Sequence, residues 1–74
     1  MGYERIEKDV KNFILNELKA AKEHPDMALN CRAIAFGALQ FASNYLFPSY
    51  NYDLVNWWEE EIWEQFTNCI KNNT

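Results

Sequence analysis

Apolar side chains recur at spacings of three and four residues through three segments of this chain, and that period most limits its fold. Such spacing places side chains on one face of an α-helix, which has about 3.6 residues per turn. The segments lie near residues 3–23, 26–46 and 53–72, and only two Gly and two Pro occur in the whole chain. The pattern therefore predicts three long helices rather than strands.

The breaks between these segments carry residues that interrupt helices. Pro25 is expected to end the first helix, because the residue before a proline is pushed out of the α region. A second break lies at Pro48 and Asn51, and Asp53 is predicted to be the N-cap of the third helix. Three helices of similar length with short connections predict an all-α fold: a small up-down-up antiparallel three-helix bundle in which residues 1–74 form one domain.

The main apolar stripe of each helix is predicted to form the core. These stripes are Tyr3, Ile6, Val10, Phe13, Ile14, Leu18 and Ala21; Met27, Cys31, Ile34, Ala35, Ala38, Phe41, Ala42 and Tyr45; and Val55, Trp58, Ile62, Phe66 and Cys69. The second helix is also apolar on another side, through Leu29 and Phe36. A helix with two apolar sides is typical of a central position or an interface.

Charge excludes several kinds of partner. The net charge is −4, and residues 51–74 carry the imbalance, with five acids against one lysine. An acidic chain without a basic stripe is not expected to bind nucleic acid or an anionic membrane directly. No apolar run approaches the roughly 20 residues that span a bilayer. The charged start and the two cysteines predict a cytoplasmic protein.

Residues that could support catalysis are scarce. The sequence has no glycine-rich phosphate loop, nucleophile elbow or zinc-finger spacing, so we expect neither an enzyme nor a cofactor. Cys31 and Cys69 lie on core stripes, where thiols are unreactive. The two thiols and His24 offer an alternative, a metal cluster, but structural zinc normally takes four ligands. Two buried thiols that pack as small apolar groups are the favoured interpretation.

Glu17 and the acidic run of the third helix have simple structural interpretations. Glu17 falls within the first apolar stripe, where an unpaired carboxylate is costly, so we expect it to pair with Arg32 or to reach solvent. In the acidic run, only Glu60 and Glu64 are four residues apart and therefore neighbours. The run is predicted to be a solvated face, with no metal bound.

Aromatic residues near the second break supply the best functional lead. Trp57 precedes a core residue and is expected to point away, toward the acidic side, unless the 47–52 loop covers it. An exposed tryptophan with acidic neighbours has the composition of an interface centre. The candidate interaction surface comprises Trp57, Phe36, Leu29, Leu15, Tyr50, Tyr52, Glu60 and Glu64.

These observations favour a non-enzymatic protein–protein interaction module that self-associates as a homodimer. Large apolar residues off the main stripes need more cover than three short helices provide, and a twofold dimer is the commonest solution. The alternative is an acidic accessory or inhibitor protein that occupies a basic surface of a partner protein.

Overall fold

The computed structural model describes residues 2–47 and 52–72, which form an all-α bundle of three helical rods and contain no strand. The elements are α1 (Gly2–Glu23), a 3-10 turn (Pro25–Met27), α2 (Ala28–Phe41) with a π-helical turn (Ala42–Leu46), and α3 (Tyr52–Trp57) with a π-helical turn (Trp58–Ile62) and α4 (Trp63–Asn72). Residues 28–46 are here called the second rod, and residues 52–72 the third rod. The predicted helical bundle is confirmed, and it is elongated, measuring 41 × 17 × 16 Å.

Two contacts fix the directions of the rods. The Lys22 ammonium donates a hydrogen bond of 2.9 Å to the side-chain oxygen of Gln65. The Lys11 ammonium lies 5.2 Å from the ring centroid of Trp57. The residue that comes earlier in α1, Lys11, thus meets the earlier residue of the third rod, and the later residue, Lys22, meets the later one. These two rods run parallel. The second rod, which connects them in the chain, runs in the opposite direction.

The chain breaks follow the expected chemistry with one exception. The first helix ends at Glu23, just before Pro25, and the chain reverses where the Met27 amide donates to the His24 carbonyl at 2.9 Å. The prediction that Asp53 caps the third helix is wrong, because α3 already begins at Tyr52. Asp53 lies in the first turn, where its negative charge still suits the unpaired amides. Residues 48–51 of the second break lie outside the described residues.

The core draws on all three rods. Its buried apolar members are Ile14, Leu18 and Ala21 from α1; Ala28, Cys31, Ala35, Leu39 and Ala42 from the second rod; and Leu54, Trp58, Ile62, Phe66 and Cys69 from the third. The largest fully buried side chains are Phe66, Ile14, Leu54 and Ile62. None of these four belongs to the second rod, so α1 and the third rod supply most of the core volume.

The second rod is rotated relative to the sequence prediction. Cys31, Ala35 and Ala42 are buried as expected, with Ala28 and Leu39 beside them. The largest members of the predicted stripe are wrong as core residues, and their exposed fractions are 47% for Met27, 50% for Ile34, 55% for Phe41 and 76% for Tyr45. Phe13 of α1 is likewise 44% exposed. Small side chains on the inward face allow the rods to approach closely, and the large ones are left outside.

The third rod reaches its core face through a widened turn. Leu54, Trp58, Ile62 and Phe66 are all buried, although successive members are four residues apart. In an α-helix, each step of four rotates the side chain by about 40° around the axis, so the stripe would drift off the core. The π-helical turn at Trp58–Ile62 absorbs this drift. Leu54 therefore lies in the core, and the predicted core residue Val55 is only half-buried.

Candidate functional site

Two adjoining grooves run between the second and third rods. The first, here the aromatic groove, has a volume of about 400 Å³. Its lining is Leu29, Asn30, Arg32, Ala33, Phe36 and Trp63. The Arg32 guanidinium lies 4.4 Å from the ring centroid of Trp63, which is a cation–π contact. The groove is thus apolar with a single positive group at its wall.

The second groove, here the π-turn groove, has a volume of about 240 Å³. Its lining is Phe36, Leu39, Gln40, Ser43, Asn44, Val55, Trp58 and Glu59. Ser43 and Asn44 come from the π-helical turn of the second rod, and Trp58 and Glu59 from that of the third. Both widened turns therefore border the same groove. Such turns occur frequently at functional sites.

Ser43 stands out in the π-turn groove because its hydroxyl has no partner. The side chain is 3% exposed, and Oγ makes no hydrogen bond to any residue in the described part of the chain. In a regular helix, a buried serine commonly donates to the carbonyl four residues earlier. An unsatisfied buried hydroxyl costs about 1–3 kcal/mol. The fold therefore retains an unfavourable group at this groove.

An aromatic cluster forms the wall between the two grooves. The Trp58 ring centroid lies 5.8 Å from those of Phe36 and Phe66 and 6.2 Å from that of Trp63. All three pairs are tilted, in the distance range where aromatic rings attract each other. Phe36 is 40% exposed and lines both grooves. The cluster gives this side of the protein a firm apolar wall.

The predicted interaction surface is divided between two sides of the bundle. Leu29, which is 58% exposed, and Phe36 meet in the aromatic groove. Leu15 and Trp57 line a different groove of about 370 Å³, whose other lining residues are Glu4, Glu7, Lys8, Lys11 and Asn12 of α1. The eight predicted residues therefore do not form one patch.

Trp57 is half-buried against α1 instead of being a free anchor. It packs against the core, and the Lys11 ammonium over its ring also lies 3.9 Å from the Glu7 carboxylate. Neither Glu60 nor Glu64 lines the groove that Trp57 borders.

The other predicted surface residues are exposed or undescribed. Glu60 and Glu64 are exposed, as expected for a solvated face, and Tyr52 is 68% exposed. Tyr50 lies outside the described residues.

Sequence reasoning missed an exposed surface on α2 and its extension. Met27, Ile34, Phe41 and Tyr45, here called the outer stripe, follow one another at spacings of seven, seven and four. The Phe41 and Tyr45 rings lie 5.5 Å apart. All four residues fit the helical period of a core face, so the sequence pattern predicted that they would be buried. The missed signal was that Ala35 and Ala42, which the predicted stripe already contained, form a series of small residues seven apart with Ala28.

The predicted pair of Glu17 and Arg32 is not formed. The Arg32 guanidinium lies over the Trp63 ring, and Glu17 lies close enough to Cys31 for its charge to act on the thiol. Burial raises the pKa of Cys31, and the negative charge of Glu17 raises it further. Cys31 and Cys69 are both buried free thiols, in agreement with their predicted place on core stripes.

Metal sites, membrane-spanning helices and similarity to known proteins were also considered as indications of function. Within residues 2–47 and 52–72, no three His, Cys, Asp or Glu side chains are grouped so that they could hold a metal ion. No helix in this part of the chain combines the length and the apolar character needed to cross a membrane. Comparisons of the chain with protein-family models, with curated proteins and with solved structures found no match.

Proposed function

We propose that this chain is a protein–protein interaction module that self-associates through the outward side of α2. One observation carries the proposal: α2 buries mainly small side chains and leaves four of its five large apolar ones, Leu29, Ile34, Phe36 and Phe41, exposed. Ala28 and Ala35 are fully buried, whereas Ile34 is 50% exposed and Phe41 is 55% exposed. A contiguous apolar surface on a soluble domain is typical of an interface.

The outward side of α2 has a shape that suits another helix. Its middle is formed by small or polar residues, Ala33, Gly37 and Gln40, which are all exposed. A Cβ atom added at Gly37 would meet nothing within 4 Å, so the backbone there is open. Leu29 and Phe36 flank this middle on one side, and the outer stripe flanks it on the other. A low centre between two ridges is the geometry in which helices pack.

Charge and area support a second copy of the chain as the partner. Residues 28–46 carry one charged side chain, Arg32, so two such faces meet with little repulsion. A twofold pair uses the same patch on both subunits. A standard interface covers about 800 Å² on each partner, which is about one-sixth of the 5144 Å² surface. The outward side of one long rod can supply an area of that size.

Substitution at the centre of this face tests the proposal. Gly37→Arg should retain a helical spectrum, because arginine is a much better helix former than glycine and the position is open. Its long charged side chain should separate two facing helices. Light scattering coupled to size exclusion should report a dimer for the native chain at micromolar concentration and a monomer for Gly37→Arg.

The matched control is Asn16→Arg, which adds the same side chain at an exposed position of α1. This variant should remain dimeric. A native chain that is strictly monomeric at high concentration would contradict self-association. A Gly37→Arg variant that is still dimeric would show that another face is used.

A second candidate function has its own support: the chain is an acidic protein that occupies a basic surface of a partner. Asp53, Glu59, Glu60, Glu61 and Glu64 are exposed on the third rod, and within the described residues none of them forms a salt bridge. Unpaired surface charge of one sign steers a partner of the opposite sign. Size exclusion of the chain with a basic polypeptide such as polyarginine tests this function. The two should co-elute at low salt, and less complex should form as salt is raised.

A further inference from the structure

We infer that the π-turn groove is a binding site for the guanidinium group of an arginine side chain on a partner protein. The inference rests on the second candidate function, which it makes more specific, and the groove shares Phe36 and Gln40 with the face proposed for self-association. It is drawn from one juxtaposition. Ser43, whose buried hydroxyl has no hydrogen-bond partner in the described structure, lines the same groove as the acidic residue Glu59 and the aromatic residue Phe36.

The charge of the groove determines the sign of its ligand. Glu59 is the one charged residue among the described residues that line the groove, and it is exposed. The neighbouring Glu60 and Glu61 add negative charge nearby. A carboxylate or phosphate would be repelled here, whereas a cationic group would be attracted.

The hydrogen-bonding groups of the groove match a donor-only ligand. Guanidinium carries five N–H donors and no acceptor. Four of the lining residues carry side-chain oxygen acceptors: Gln40, Ser43, Asn44 and Glu59. An entering N–H group would supply the hydrogen bond that Ser43 Oγ lacks in the described structure.

The aromatic wall favours arginine over lysine. Phe36 is 40% exposed, and its ring is held 5.8 Å from Trp58. A planar guanidinium stacks on an aromatic face, whereas an ammonium has no plane to stack. The chain already contains this contact in the adjoining groove, where the Arg32 guanidinium lies 4.4 Å from the Trp63 ring centroid.

The size of the groove limits the ligand to a single side chain. Its volume of about 240 Å³ lies below the range of roughly 300–1,000 Å³ that is typical of sites for small molecules and cofactors. Each π-helical turn contributes one pair of lining residues, Ser43 with Asn44 and Trp58 with Glu59. A side chain that projects from a partner protein fits these dimensions.

Nuclear magnetic resonance of the ¹⁵N-labelled full chain tests the inference, with N-acetyl-arginine amide as the probe. We expect saturable shifts at the amides of Ser43, Asn44 and Glu59 and at the indole N–H of Trp58. Affinity for one side chain should be in the millimolar range. N-acetyl-leucine amide and N-acetyl-glutamate amide should leave these signals in place.

Two variants separate binding from a purely structural role. Glu59→Gln should weaken binding of the arginine probe by about threefold, the usual effect of an exposed ion pair. Ser43→Ala should also weaken binding, yet it should raise the Tm of the free protein, because it removes an unsatisfied hydroxyl. A serine that only supports the fold would lower the Tm when replaced. Asp9→Asn, which removes an exposed carboxylate of α1 outside the groove lining, is the matched control and should bind normally.

Several results would overturn the inference. These are equal shifts with the leucine probe, shifts centred on Glu60, Glu61 and Glu64, or no shifts with the arginine probe. Polyarginine distinguishes this failure from failure of the second candidate function. If polyarginine binds and the arginine probe does not, the groove inference falls and the candidate function stands. If neither binds, both are wrong.

Discussion

Two isoleucines on predicted core stripes provide the most direct test of how the second rod is oriented. Ile14 of α1 is 0% exposed, and Ile34 of α2 is 50% exposed. Ile14→Ala and Ile34→Ala remove the same atoms from two helices, so the difference between them reports burial. The sequence stripes predict similar losses of stability, whereas the structure predicts very different ones.

The expected magnitudes follow from burial. Replacing a fully buried isoleucine by alanine costs about 2–5 kcal/mol, because lost apolar contact and a cavity both contribute. Ile14 is among the largest fully buried side chains, so we expect about 3–4 kcal/mol. Full burial of such a side chain is worth about 1.5–3 kcal/mol, so half-burial of Ile34 is worth about 1 kcal/mol. Alanine recovers a few tenths through its better helix propensity, leaving a loss of about 0.5–1 kcal/mol.

Urea unfolding followed by circular dichroism measures both variants. Protein concentration must be low enough that monomers dominate, since association stabilises the folded chain by mass action. A slope of about 1 kcal/mol per molar urea is typical for small proteins, so Ile14→Ala should move the midpoint by about 3 M and Ile34→Ala by less than about 1 M. Equal losses for the two variants would refute the outward placement of Ile34.

Two further predictions concern buried or partly buried polar groups. Because burial and then Glu17 raise the pKa of Cys31 above its usual range, the protonated thiol contributes stability at neutral pH that is lost as pH rises through the raised pKa. Glu17→Gln should lower that pKa and speed thiol labelling at mildly alkaline pH, whereas the exposed control Glu23→Gln should not; unchanged labelling would contradict the contact. A double-mutant cycle of Arg32→Ala with Trp63→Leu should give a coupling of about 0.5–1 kcal/mol, larger than that of Arg32 with Glu17. A larger coupling to Glu17 would restore the ion pair expected from the sequence.

The helices themselves could be predicted from the sequence because two of them have clear polar faces. In α1 and the third rod, charged residues alternate with an apolar stripe, so the inward side of Ile14 or Phe66 follows from the period. Pro25 then fixes the first reversal through local sterics alone. These signals are local, and they need no knowledge of the packing.

The inward side of α2 could not be predicted in the same way. Apolar residues occupy nearly its whole circumference, and the stripe of Ile34 and Phe41 fits a helical core as well as the stripe of Ala28 and Ala35 does. The choice depends on how much volume the other rods already bring, which is a tertiary property. The two candidate grooves were missed for the same reason, since each takes its lining from two rods.

The widened turn at Trp58–Ile62 has a consequence for chain length. Buried residues that recur every four positions use one residue more than α-helical geometry needs. Deleting an exposed residue within the turn, such as Glu60, restores spacings of four and three, which an ordinary α-helix satisfies. The rod can therefore lose one residue here and keep its core, whereas a deletion elsewhere rotates all later side chains by about 100°. The extra residue lies in the turn that contributes Trp58 and Glu59 to the π-turn groove, so a third rod shorter by this one residue should keep the bundle and alter the groove.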